Sequence, residues 1–344
     1  MTALATPLRA LLAVGLMALA GCAQTPARTA EEVHGLDGPV TASVETAAVD
    51  PVEQNPQPQL PTTVVDVQGT SVTVDDASRI LALDLYGTTS RIVFELGLGD
   101  RVVGRDTSST FPEIADRPLV TPVGHELNAE AILQLAPTLI ITDTSLGPWA
   151  VIEQLRDAGV SVVVVDAHRT MENIDDITTQ VGAAVGMPGP AEELAERTRT
   201  QIDEATARID AIAPDGDRLR IAFLYLRGQS GTYYLFGDGS GADSLIEAVG
   251  AIDVASEVGV TGMKPMTDEA LVAAQPDVVL VMTSGLESVG GVDGLLKQLP
   301  ALAETPAGDN RRIVDMADSQ VLTFGSATPQ VMLALAGALY GVDL

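Results

Sequence analysis

From about residue 62 onward, short continuous apolar runs alternate with longer amphipathic stretches. PTTVVDVQGTSVTVDD (61–76) predicts two short strands around a turn at Gly69. Ile80–Leu83, Leu139–Thr142 and Val162–Val165 are unbroken apolar runs of strand length. Between them, Thr88–Leu96 reads as a helix stopped by Gly97, and Pro148–Ala158 as a second helix. A strand without a polar face is buried on both sides, so this alternation predicts a parallel sheet covered by helices.

The pattern changes at Pro190. AEELAERTRTQIDEATARIDAIA (191–213) places Leu194, Ile202, Ala205, Ile209 and Ile212 near a 3.6-residue period, with no internal Gly or Pro before Pro214. A helix of this length runs on the order of 35 Å. A second α/β run then opens with Leu219–Leu226. Two segments echo one another: EAILQLAPTLIIT (130–142) and EALVAAQPDVVLV (269–281) both read helix, proline break, buried strand, with Glu130 matching Glu269. One long helix between two similar α/β lobes is the architecture predicted.

The N-terminal part differs. In MTALATPLRALLAVGLMALAGC (1–22), Arg9 precedes a short apolar run that leads through small residues to Cys22, the chain's one cysteine. The run is too short to span a bilayer and reads as a secretory signal. Leu19-Ala20-Gly21-Cys22 looks like a lipobox, with Cys22 the lipidated first residue of the mature chain. Residues 23–61 are poor in large apolar residues and rich in Ala, Thr, Pro, Glu and Gln; they predict a disordered tether that includes His34.

Charge narrows the function classes. Forty-seven acidic residues against 19 basic ones give a net charge of −28, which disfavours nucleic acid and anionic membrane surfaces as partners. The chain shows no G-x-S-x-G elbow, H-E-x-x-H pair, phosphate-binding loop or catalytic cysteine, so an enzyme is disfavoured.

The lipobox, the strand RILALD, the segment TSRIVFELGLGDRVVGRD (89–106), the paired Glu-Ala units and the long helix together resemble substrate-binding proteins of ABC importers. The subgroup is the one that carries siderophores, cobalamin and haem. VGHELNAEAIL (123–133), LYLRGQSGTYYLFGDGSGADSLI (224–246) and VMTSGLESVGG (281–291) are most similar to haem-binding proteins of actinobacterial haem importers, the HmuT group. The resemblance implies an α/β, class III periplasmic-binding-protein-like fold: two Rossmann-like lobes with parallel-type sheets, joined by one long rigid helix. The expected division is signal peptide 1–22, tether 23–61, N-terminal lobe 62–189, linking helix 190–214 and C-terminal lobe 215–344. The implied function is an extracytoplasmic receptor, anchored to the outer face of the cytoplasmic membrane, that delivers haem to an ABC permease and its ATPase. A siderophore or cobalamin carrier on the same fold is the alternative. A carrier of bare Zn²⁺ or Mn²⁺ would need more cleft histidines than this chain has.

Haem iron is held by His, Tyr or Met in many proteins. His125 stands in a Gly-preceded loop at a helix start, and the resemblance makes it one axial ligand. Tyr225 is the expected second. Strand residues i and i+2 share a face, so Arg227 would project with Tyr225 and favour its phenolate form. Of Tyr233 and Tyr234 only one should face the cleft. Met282, at the end of the Val278–Val281 run, is a pocket residue or weak alternative ligand, and Arg105 and Arg79 are candidate propionate partners. His168 reads as a surface or structural residue. Phe111 occupies the place where some Gram-negative haem carriers have an axial tyrosine, and it cannot ligate iron. By the same resemblance, Glu130 and Glu269 dock the permease; their helix-start positions also suit the helix dipole.

Overall fold

The computed structural model describes residues 28–44, 48–214, 216–228 and 233–344. Cys22 and the signal segment lie outside the described residues.

The first described residues are not a free tether. Thr29 and Glu32 form a capping box on helix α1 (Ala30–His34), which buries Val33. Strand β1 (Val40–Ala42) then joins the edge of the C-lobe sheet, parallel to its last strand. Farther on, Val49, Val52 and Leu60 pack on the N-lobe core. Backbone N–H groups of Val52 and Gln59 donate to Glu95 and Gly186 at 2.8 Å. The tether expected over 23–61 is therefore, where described, a strap laid across both lobes. Composition misled because a few apolar anchors and a row of backbone hydrogen bonds suffice to hold it. His34 lies in it against the C-lobe, 3.5 Å from Asp277 and 3.7 Å from Asp217.

The N-lobe begins with the hairpin β2 (Thr62–Val65) and β3 (Ser71–Val74), where Gly69 takes φ 79°. Strands β4 (Ile80–Leu83), β5 (Leu139–Thr142) and β6 (Ser161–Val164) make a three-stranded parallel sheet. Their side chains are buried on both faces, between two apolar clusters. Helix α2 (Thr88–Val93) follows β4 and widens into a π-helical turn at Phe94–Leu98, where Gly97 turns the chain at φ 80°. Helices α3 (Ala129–Gln134), α4 (Trp149–Asp157) and α5 (Ile174–Ala184) complete the lobe.

The linking helix α6 (Pro188–Asp210) spans 23 residues. Against the expected 190–214 it starts two residues earlier, because proline is tolerated in a first helical turn, where its missing N–H would be unpaired anyway, and it ends at Asp210. Its Ala191 and Leu194 enter the N-lobe core, and its Ala205 and Ile209 the C-lobe core. One rigid element thus holds both lobes.

In the C-lobe, β7 (Arg220–Leu226), β8 (Tyr233–Phe236), α7 (Ala242–Ala248), β9 (Ile252–Asp253), α8 (Val254–Glu257), β10 (Met263–Pro265), α9 (Asp268–Ala274), β11 (Val278–Met282) and β12 (Ile313–Met316) follow in order. The sheet runs β1-β12-β11-β7-β8-β10, with β9 also on β7. It is parallel except at one edge, where β8 pairs antiparallel with β7 and β10 antiparallel with β8. Direct hydrogen bonds join the lobes from Thr323 Oγ1 to Tyr86 O (3.3 Å), from Ser326 Oγ to Glu95 (2.6 Å) and from Met171 N–H to Ser244 Oγ (2.9 Å).

Candidate functional site

His125 is at the tip of a turn shaped by Gly124 at φ 62°. The turn is pinned at its far side, where Leu127 N–H donates to Gly147 O (2.7 Å) and Asn128 N–H to Val120 O (3.0 Å). The ring is exposed at the N-lobe rim. Partial burial, and then the positive charge of Arg227, hold the imidazole below its ordinary pKa. A C-lobe residue therefore acts on an N-lobe residue, and His125 is kept in the neutral form that can donate a lone pair to a metal.

Tyr225 is partly buried near the end of β7, and Arg227 lies just past it, exposed. Tyr225 is directly opposite Tyr234 in the β7–β8 register. Their ring centroids are 6.5 Å apart, and Tyr225 meets Phe236 edge-on at 6.2 Å. Met282 ends β11 and, one step beyond the Val281–Leu224 pair, stands alongside Tyr225 on the same apolar cluster. Tyr86 and Met171 of the N-lobe border that cluster too.

Tyr233 turns to the opposite face. It packs on the other C-lobe cluster, and its hydroxyl donates to Asp268. Burial and that carboxylate push the phenol above its ordinary pKa, so Tyr233 keeps its proton. The adjacent tyrosines thus divide: Tyr234 joins Tyr225, and Tyr233 does not.

Other expected residues are employed elsewhere. Arg105 donates to the carbonyls of Asp106 (3.2 Å) and Ser109 (3.4 Å), holding its own loop. Arg79 donates to the carbonyls of Leu135 and Ala136 at 3.0 Å, closing the end of α3. Neither is brought to Tyr225 by these bonds, and backbone carbonyls as partners leave no trace in sequence. Phe111 is buried edge-on to Phe94. His168 is exposed and pairs with Asp166 at 2.8 Å. Glu130 and Glu269 are exposed in the first turns of α3 and α9.

A buried polar cluster under the N-lobe rim was not foreseen. Asp84, Asp106, Asp143 and Arg169 are all within 2% of complete burial. Asp84 accepts from the N–H groups of Tyr86 (2.7 Å), Thr88 (3.2 Å) and Thr89 (2.6 Å), fixing the entry to α2. Arg169 reaches Asp143 at 2.7 Å and Asp84 at 3.8 Å, and its guanidinium lies 4.9 Å from the Tyr86 ring centre. Burial, and then the Asp84 charge, push Asp106 up to about 7 and Asp143 up to about 6. The available signal was an aspartate directly after β4 and after β5.

No group of three or more His, Cys, Asp or Glu among the described residues is arranged to hold a bare metal ion. A cavity of about 140 Å³ opens on the hinge side, among Tyr86, Arg91, Arg197, Ser326 and Gln330. No candidate ligand lines it, and it is smaller than the roughly 300–1,000 Å³ of an ordinary organic-ligand site.

A model of the periplasmic binding protein family matches residues 84–319. The chain belongs to that family. This periplasmic binding protein is accordingly a binding component of a transport system and not an enzyme. Its structure is similar to the crystal structure of the heme binding protein HmuT, with TM-score 0.85 and 42% identity over 90% of this chain and 99% of that one. Solved HmuT variants replace one arginine, one tyrosine or one histidine by alanine. Among curated relatives, the ABC transporter substrate-binding lipoprotein YvrC of Bacillus subtilis is 25% identical over 283 residues, 81% of this chain and 86% of that protein. The cobalamin-binding protein of Halobacterium salinarum is 28% identical over 228 residues, 65% of this chain and 59% of that protein.

Proposed function

We propose that this periplasmic binding protein captures haem between its lobes and delivers it to an ABC permease. The observation that carries the reading is the grouping of Tyr225 with Tyr234, Phe236 and Met282 at the strand ends of one lobe, with the charge of neighbouring Arg227 felt by His125 of the other. Neutral His125 supplies a nitrogen ligand to ferric iron. Tyr225 supplies a phenolate oxygen, and Arg227 places a positive charge beside that anionic ligand. Tyr234, Phe236 and Met282 offer an apolar and aromatic wall to the porphyrin. Because one ligand comes from each lobe, binding iron ties the lobes together.

The HmuT variants support the assignment. Their tyrosine stands two positions before the arginine, with the histidine about one hundred positions earlier. Tyr225 and Arg227 keep the same two-residue step, and His125 precedes Tyr225 by a nearly equal interval. Glu130 and Glu269 dock the permease, one per lobe. Cys22 carries the lipid that anchors the protein to the outer face of the cytoplasmic membrane, in keeping with the lipoprotein YvrC. The cobalamin-binding relatives keep cobalamin as the second reading.

Titrating the purified protein with hemin and, separately, with cyanocobalamin tests the choice. A ferric haem band that is altered in both His125→Ala and Tyr225→Phe is expected. Absence of a bound haem band, or tighter binding of cobalamin, would overturn the haem reading.

A further inference from the structure

The start of α9 is fastened to β8 at a single residue. The Tyr233 hydroxyl donates to Oδ1 of Asp268, the first residue of α9. The Tyr233 carbonyl accepts from Met266 N–H at 3.3 Å. Just before these bonds runs β10, whose Pro265 is paired with Tyr234. Thr267 caps the helix by accepting from Ala270 N–H at 3.3 Å, and Glu269 follows Asp268 in the exposed first turn. Beside them, Asp268, Glu269 and Glu304 line a groove of about 540 Å³, whose other walls are Val272, Ala273, Pro300 and Ala301. No basic side chain lines it.

The N-lobe has a covalent counterpart. Glu130 follows His125 by five residues, and the segment between is held by the bonds of Leu127 and Asn128 to Gly147 and Val120. Asn128 also caps α3, accepting from Ala131 N–H at 2.8 Å.

We infer that Tyr233 is a positioning residue: it joins the strand that faces the ligand to the acidic start of α9, so that in each lobe a haem contact is linked to the docking carboxylate, through the chain itself in the N-lobe and through the Tyr233–Asp268 bond in the C-lobe. The inference rests on the haem-delivery reading and adds a route for release. A permease that draws Glu130 and Glu269 apart also draws the His125 turn away from the Tyr225–Tyr234 strand pair. Haem then loses one axial ligand through local movement of two short segments, with α6 unchanged. Retention of the Tyr233 proton suits this role, because a protonated phenol holds a carboxylate as donor and offers iron no phenolate.

The test has two readouts. The first is hydrogen exchange of the protein without haem. Tyr233→Phe and Asp268→Ala should each speed exchange at Leu271 N–H, which closes the first turn of α9 on Thr267 O at 3.1 Å. Unchanged exchange in both overturns the positioning role, whatever the ligand proves to be. The second readout uses the full lipid-anchored chain with the permease and ATPase of its importer in vesicles, and hemin as probe. Tyr233→Phe should leave the haem spectrum and spontaneous haem loss to apomyoglobin unchanged, yet slow transfer into the vesicles at least about fivefold. The Tyr233→Phe, Asp268→Ala double variant should lose no more than either single one, because both break the same bond. Full transfer by Tyr233→Phe, with transfer abolished by Glu269→Arg, overturns the inference and leaves haem delivery standing. A wild-type protein that binds no hemin overturns the haem reading instead, and the exchange result still decides the tie between β8 and α9.

Discussion

His125 belongs to the N-lobe and Arg227 to the C-lobe, yet the Arg227 charge helps hold the His125 imidazole below its ordinary pKa. Burial is the larger cause, and the guanidinium adds to it. Removing the charge in Arg227→Ala should therefore move the His125 titration upward, part of the way back toward its unperturbed value. Following the His125 ring proton by NMR in the haem-free protein measures this. In the haem complex the same change has a second consequence. A protonated imidazole cannot ligate, so haem binding by Arg227→Ala should fail at a higher pH than in the wild type. An unmoved titration midpoint would mean that the two groups do not face each other in solution.

The buried aspartates give a sign for stability. Asp106 at about 7 and Asp143 at about 6 both bind protons more tightly in the folded chain than an exposed aspartate does. Between the unfolded value near 4 and these raised values, the folded state holds protons that the unfolded state has released. Stability from these groups is therefore present at low pH and lost as pH rises through 6 and 7. Urea unfolding at pH 6 should exceed that at pH 8 by about 1–2 kcal/mol. The comparison belongs in high salt, which screens the repulsion of a chain with net charge −28. Equal stability at the two pH values would show that neither aspartate titrates there.

The strap can be tested at Val33, which is 2% exposed in the C-lobe core although it lies in a segment of tether-like composition. Val33→Ala should destabilise the protein by about 1–2 kcal/mol, as for other truncations of buried aliphatic side chains. Thermal unfolding reads this directly. No loss would return the segment to the status of a loose tether.

The strap also shows where sequence is informative and where it is not. β4, β5 and β11 were legible because continuous apolar runs of four or five residues have little alternative to a strand buried on both faces. The placing of Tyr225 and Met282 at strand ends followed from those runs. β1 was invisible: three residues, Val-Thr-Ala, pair through backbone groups that every sequence possesses. Asp84, Asp143 and Arg169 look individually like surface residues, and only the fold brings them into one dry cluster. The period of two said that Tyr233 and Tyr234 must part, but not which way. The antiparallel return of β8 along β7 decides that, by setting Tyr234 directly opposite Tyr225.

Glu130 and Glu269 separate docking from binding. Each is exposed in the first turn of a short helix, where its charge favours the helix dipole by roughly 0.3–1 kcal/mol. Reversing both charges should therefore cost about 1–4 kcal/mol, because each reversal loses one favourable term and adds one unfavourable. A protein of this size should remain folded. Neither side chain belongs to the Tyr225 group, so the haem spectrum of the Glu130→Arg, Glu269→Arg protein should match the wild type. Haem uptake by cells carrying it should stop, since a basic permease surface would meet two repulsive charges in place of two attractive ones. Either reversal alone should slow uptake less than the pair. Uptake that survives the double reversal would remove both residues from the docking surface while leaving haem capture by His125 and Tyr225 intact.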